Sequence, residues 1–185
     1  MSIIGITGSI ASGKSTVAYL MAGKKYPLFN ADKVVSDLYK KNFFINALTK
    51  KFKLEKKKEI KIQIKLLLIK NKKNIHKLEA VIHPYVRKKM KVFLKKKNKF
   101  IFLEIPLLIE SNLNKYFDKL IFVNAQRKTR LKRYLKKNGS KETFNLLDKR
   151  QLSSNVKKKL CSHTINNNYS LIALKKSVTN YMKKI

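Results

Sequence analysis

The chain has 185 residues, 44% of them hydrophobic, which suits one domain with a real core and room for a lid or an inserted subdomain. No apolar run approaches the ~20 residues of a membrane span, and Cys161 is the single cysteine, which excludes an internal disulfide and a cysteine-based metal cluster. The net charge is +35, yet 40 of the 45 basic residues are lysines spread along the whole chain. That reads as the lysine drift of an AT-rich genome rather than a nucleic-acid surface, which draws on arginine for two-point contacts.

Ser2 leads straight into a strand with no basic-then-apolar leader before it, so a cytoplasmic setting is expected. The strand Ser2-Ile3-Ile4-Gly5-Ile6-Thr7 runs into Gly8-Ser9-Ile10-Ala11-Ser12-Gly13-Lys14-Ser15, and Ser15 to Met21 has the pattern of a helix. The octapeptide fits the glycine-x4-glycine-lysine-serine/threonine loop that cradles phosphates, and it stands in the strand–loop–helix setting that loop requires. Gly8 and Gly13 let successive N–H groups turn into one concavity, Lys14 can reach the outer phosphates, and the Ser15 hydroxyl can ligate Mg2+. Only five glycines occur in the chain, so two at the required positions carry weight. The loop points to a nucleoside triphosphate.

Tyr26 to Phe29 reads as a short second strand ending at Asn30-Ala31-Asp32, and Lys33 to Lys41 carries Val34, Val35, Leu38 and Tyr39 at helical spacing. Asp32, at the carboxyl end of a strand beside the loop, is the candidate catalytic carboxylate. The alternative is a helix N-cap. From Asn42 to Lys97 the pattern is helical: Phe44, Ile45, Leu48 and Phe52 mark one helix, and Ile60, Ile64, Leu67 and Leu68 a second. Val81 to Leu94 is a third, broken by Pro84, with His83-Pro84 as a helix start. The lysine runs at 56–58 and 95–97 are expected at solvated helix ends or turns.

Phe100 to Ile105 is a buried-strand run closed by Pro106, and Asp118 to Asn124 is another. Glu104, at the end of a core strand, either serves the Mg2+ shell or pairs with one of many lysines. Helices joined at Asn138-Gly139 follow between Gln126 and Lys149, Ser162 to Asn166 forms a last short strand, and Ser170 caps a helix reaching Met182. His76, His83 and His163 have no metal-ligand spacing, and Cys161 reads as a small core residue.

Several segments, in order, resemble the dephospho-CoA kinase family. They are the phosphate loop, Asn30-Ala31-Asp32, His83-Pro84-Tyr85-Val86-Arg87, Pro106-Leu107-Leu108-Ile109-Glu110, and a late Gln151 with Lys157 and Ile165-Asn166-Asn167. The resemblance implies an α/β fold of the phosphate-loop (P-loop) NTPase type. Its parallel sheet would be flanked by helices, with a helical substrate-binding insertion at about residues 42–97 and a lid at about 126–149. It implies transfer of the ATP γ-phosphoryl group to the ribose 3′-hydroxyl of dephospho-CoA, with Mg2+ as cofactor, while the composition argues against a specific nucleic-acid or membrane partner. By the same resemblance Asp32 and Lys14 are catalytic, and Gly8 with Ala11, Ser12, Gly13, Lys14, Ser15 and Thr16 binds ATP. Arg133 and Lys137 belong to the lid, and Asp32, His83, Arg87, Pro106, Leu107 and Glu110 face the acceptor. Another small-molecule or nucleotide kinase is the alternative, and a basic nucleic-acid-binding protein a more distant one. Where the family has glycine early in the loop this chain has Ser9 and Ala11; Asn30 replaces an aspartate and Lys137 a lid arginine. Ser162 and Tyr169 stand where the family often has aspartate and glycine.

Overall fold

A computed structural model describes residues 1–55, 58–71 and 73–185, which divide into two compact units: residues 1–30 with 96–185, and residues 31–95. The first unit holds a five-stranded parallel sheet, β1 Ser2–Gly8, β2 Leu28–Asn30, β3 Phe100–Glu104, β4 Lys119–Asn124 and β5 His163–Asn166, in the order β2-β3-β1-β4-β5. Strands buried on both faces read as continuous apolar runs rather than alternating ones, and the Phe100-Ile101-Phe102-Leu103 run is buried throughout.

On one face Ile4, Ile6, Phe100, Phe102, Ile121 and Val123 meet helix α1 (Lys14–Ala22) and helix α9 (Leu171–Met182). These helices contribute Val17, Ala18, Met21, Leu174 and Val178, each at most 3% exposed. The other face is so close at Gly5 that an added Cβ would stand 2.7 Å from Leu120 Cδ2 and 2.9 Å from Phe117 Cδ1. Three more α-helices, α6 Arg127–Leu135, α7 Lys141–Lys149 and α8 Ser154–Leu160, and a 3-10 turn at Asn114–Tyr116 belong to this unit among the described residues. Serines cap three of the helix starts: Ser140 accepts from the Thr143 N–H, Ser153 from Val156 and Ser170 from Ala173. The short helix α8 has no legible helical period in the sequence, because three successive lysines at 157–159 mask it; its one local signal is the cap Ser153.

The second unit is helical: α2 Ala31–Leu38, α3 Asn42–Phe52, α4 Ile60–Lys70 and α5 Asn74–Phe93. Its core gathers Leu38, Phe44 and Leu48, with Tyr39, Ile60, Leu78, Val81, Ile82 and Tyr85 around them. Leu38 belongs to that core, so the unit begins at Ala31 rather than Asn42. One expectation is corrected here. Pro84 neither breaks a helix nor starts one; α5 runs through it for 20 residues. A proline inside a helix forfeits one hydrogen bond and costs about 3 kcal/mol, and the packing of Val81, Ile82 and Tyr85 on both sides offsets that loss. Lys58 and Lys95 to Lys97 are exposed as expected, whereas Lys56 and Lys57 of the first lysine run lie outside the described residues.

Candidate active site

In the first unit the chain leaves β1 at Gly8, loops, and enters α1 at Lys14, which puts the loop against a helix N-terminus. Both motif glycines are fixed by geometry. A Cβ on Gly8 would lie 2.6 Å from Ser12 Oγ and from the Val123 carbonyl oxygen. Gly13 has φ +94°, and a Cβ there would meet Asn167 Nδ2 at 2.2 Å. Ala11 also adopts the left-handed region, with φ 57°, a conformation that disfavours any residue with a Cβ. Lys14 is 9% exposed, and its ammonium donates to the Ser9 carbonyl at 3.2 Å, curled over the loop.

Strand register delivers the next residue. Glu104 is the last residue of β3 and pairs with Ile6 on one side and Asn30 on the other. It is 1% exposed. The Ser15 hydroxyl donates to its Oε1 at 2.6 Å and the Asn30 amide donates to its Oε2 at 2.5 Å. A hydroxyl and a carboxylate side by side are the hard oxygen donors that Mg2+ selects, so these residues fit that ion. Asn30 gains a role the sequence did not disclose. An aspartate there would set two carboxylates against each other, whereas the amide donates and orients Glu104.

The C-terminal third of the chain grips the loop from behind. Asn167 Nδ2 donates to the Ser12 carbonyl at 2.8 Å, and Arg133 reaches the same oxygen at 3.5 Å and Asn167 Oδ1 at 3.3 Å. Gln151 Oε1 accepts from the Ile10 N–H at 2.9 Å, and Arg130 donates to the Ile10 carbonyl at 3.4 Å. Arg130 is itself buried, bonded to the Ala125 carbonyl at 3.1 Å and to Asp148 at 2.6 Å. Lys137, by contrast, is exposed in the turn after α6.

The Pro106-to-Glu110 segment forms a turn in which Leu107 has φ 54° while Leu108 and Ile109 are buried. Glu110 is assigned to the acceptor side by resemblance, but its Oε1 accepts from the Leu152 N–H at 3.0 Å and lies 2.8 Å from Lys157 Nζ. Lys157 is 0% exposed. Glu110 therefore supports the turn from inside rather than facing an open site. Burial pushes the neighbouring Cys161 thiol up to about 11, against a smaller downward pull from Lys157, which leaves it a protonated, inert thiol at neutral pH.

The remaining candidates lie in the second unit. Asp32 is exposed in the first turn of α2, a favourable place for a carboxylate at a helix N-terminus. His83 is half-buried and Arg87 exposed on α5, four residues apart and so on one face of that helix.

The model of the dephospho-CoA kinase family matches residues 2–172. The chain belongs to the dephospho-CoA kinase family. Members are ATP-dependent phosphotransferases acting in the last step of coenzyme A synthesis. A dephospho-CoA kinase of Fusobacterium nucleatum is 33% identical over 194 residues, covering 99% of this chain and 98% of that one. Among solved structures, TT1252 of Thermus thermophilus superposes with TM-score 0.82 at 27% identity, covering 100% of this chain and 97% of that one. A dephospho-CoA kinase from Campylobacter jejuni gives TM-score 0.70 at 26% identity, covering 98% and 96%. Among the described residues no helix is long and apolar enough to cross a membrane.

Proposed function

We propose that this member of the dephospho-CoA kinase family transfers the ATP γ-phosphoryl group to the ribose 3′-hydroxyl of dephospho-CoA. The observation that carries the reading is the Gly8-to-Ser15 loop with the Ser15 hydroxyl on Glu104 at 2.6 Å, a phosphate cradle with a cation-compatible oxygen pair at its edge. Gly8, Ala11, Ser12, Gly13, Lys14, Ser15 and Thr16 hold the triphosphate, with Lys14 adding a point charge at the outer phosphates. Ser15 and Glu104 would hold Mg2+, which would neutralise charge on the phosphates.

Asp32 follows Asn30 by two residues, a chain reach of at most about 7 Å, which supports its role as general base. It takes the proton of the 3′-hydroxyl as that oxygen forms a bond to the γ-phosphorus. The bond from that phosphorus to the β–γ bridging oxygen breaks and ADP leaves with the electron pair. The proton on Asp32 then passes to water. Arg133 in the lid, residues 126–149, stabilises charge on the transferring group, and Lys137 supplies a weaker one-point contact than arginine would. On the family resemblance His83, Arg87, Pro106 and Leu107 are assigned to acceptor binding, while Glu110 holds the Pro106-to-Glu110 turn through Leu152 and Lys157. A reducing cytoplasm suits the single thiol, and no specific nucleic acid is required.

The test is ADP release by purified protein with Mg-ATP and a panel of acceptors. Turnover with dephospho-CoA at least tenfold above that with nucleoside monophosphates or shikimate is expected. No ADP release with dephospho-CoA, alongside turnover of another alcohol, would overturn the reading.

A further inference from the structure

Ala11 stands where the backbone needs a left-handed residue, at φ 57°. For a residue with a Cβ that conformation is disfavoured roughly 5- to 30-fold relative to the ordinary regions. Nothing about alanine itself holds the loop there, so the hold must come from its neighbours. Both peptide groups flanking Ala11 are pinned. The preceding one has its oxygen, that of Ile10, on Arg130 Nη1 at 3.4 Å, and the following one has its N–H, that of Ser12, on the Ser9 carbonyl at 3.1 Å. One residue further back, the Ile10 N–H is bonded to Gln151 Oε1 at 2.9 Å.

The two outside partners are fixed in turn. Arg130 is 6% exposed and held by Asp148 at 2.6 Å, with Arg127 3.4 Å from the same carboxylate. Gln151 precedes Leu152, whose N–H is bonded to Glu110, and Glu110 is paired with the buried Lys157. Arg130 thus holds the Ile10–Ala11 peptide by its oxygen, and Gln151 holds the Ser9–Ile10 peptide before it by its N–H. Fixing the Ile10–Ala11 peptide fixes the plane from which the Ala11 φ is measured, and fixing the peptide before it keeps Ile10 itself from turning.

We propose that Arg130 and Gln151 are positioning residues that compensate for alanine at position 11, keeping the phosphate loop in its nucleotide-binding shape. With glycine at that position the same shape is reached without strain, so the clamp matters less there. The inference rests on nucleotide binding at the loop and not on the acceptor, and its test uses no acceptor.

The experiment is a mutant cycle read by calorimetric binding of Mg-ATPγS to the full chain. Gln151→Met keeps the side chain's length and removes the acceptor. It should weaken binding about tenfold with alanine at position 11 and under about threefold in Ala11→Gly, because the strain it offsets is gone. Arg130→Lys, which keeps a cation beside Asp148 but loses the fork reaching Ile10, should follow the same pattern. In steady state Gln151→Met raises KM for ATP and leaves KM for the acceptor in place, a split that general destabilisation does not produce. Equal losses in both backgrounds, or a lowered Tm with unchanged ATPγS affinity, would overturn the proposal.

Discussion

Ser15 and Glu104, 89 residues apart in the chain, share a 2.6 Å hydrogen bond at the mouth of the phosphate loop. The bond exists because β3 lies beside β1 in a register that pairs Glu104 with Ile6. Asn30 on β2 then secures the second carboxylate oxygen.

Glu104→Gln should raise the Mg2+ concentration for half-maximal activity at least tenfold, since the amide keeps the shape but not the charge that a hard cation selects. Titration of turnover with Mg2+ at fixed ATP checks this. An unchanged midpoint would separate Glu104 from the metal and leave it a structural acceptor for Ser15 and Asn30.

Asp32→Asn is expected to lower turnover at least ~100-fold with little change in ATP affinity, the signature of a lost general base. Single-turnover kinetics with saturating nucleotide measures the chemical step directly. Full activity in the asparagine variant would return Asp32 to the humbler task of favouring the N-terminus of α2.

Removing Lys157 should strand Glu110. Its ammonium is 2.8 Å from Glu110 Oε1 and fully buried, and breaking a buried pair from one side costs about 3–5 kcal/mol. Lys157→Met should show a loss of that order in urea unfolding. The double variant Lys157→Met with Glu110→Leu should recover much of it by removing the orphaned charge, although the Leu152 N–H then loses its acceptor.

Acid should destabilise the fold through His163. Its imidazole stacks on Tyr181 with ring centroids 4.3 Å apart. Burial first, and Lys184 second, hold its pKa below the ordinary 6.5. The unfolded chain therefore binds this proton at a higher pH than the folded one does. Stability from this group is whole above pH 6.5 and is lost as pH falls from there toward the lower folded value. Calorimetric Tm measured between pH 7.5 and 5.5 should decline for the native chain. His163→Phe, which keeps an aromatic ring and cannot titrate, should flatten that decline; the same slope in the variant would assign it to another group.

By itself the sequence determined the phosphate loop, the strands around it and the serine-capped last helix, because these depend on local pattern: a glycine spacing, an apolar run, a cap. The residues of the loop motif stand where that pattern demands. Local rules place a break at Pro84, whereas α5 runs through it, since the packing around the proline involves Val81, Ile82 and Tyr85 in a core the local sequence does not reveal. Only the tertiary structure decided that Asn30 orients Glu104, that Glu110 turns inward to Lys157, and that Arg130 and Gln151 grip Ile10. Those pairs join residues 47 to 141 positions apart, and strand register and helix packing, not local propensity, bring them within hydrogen-bond range.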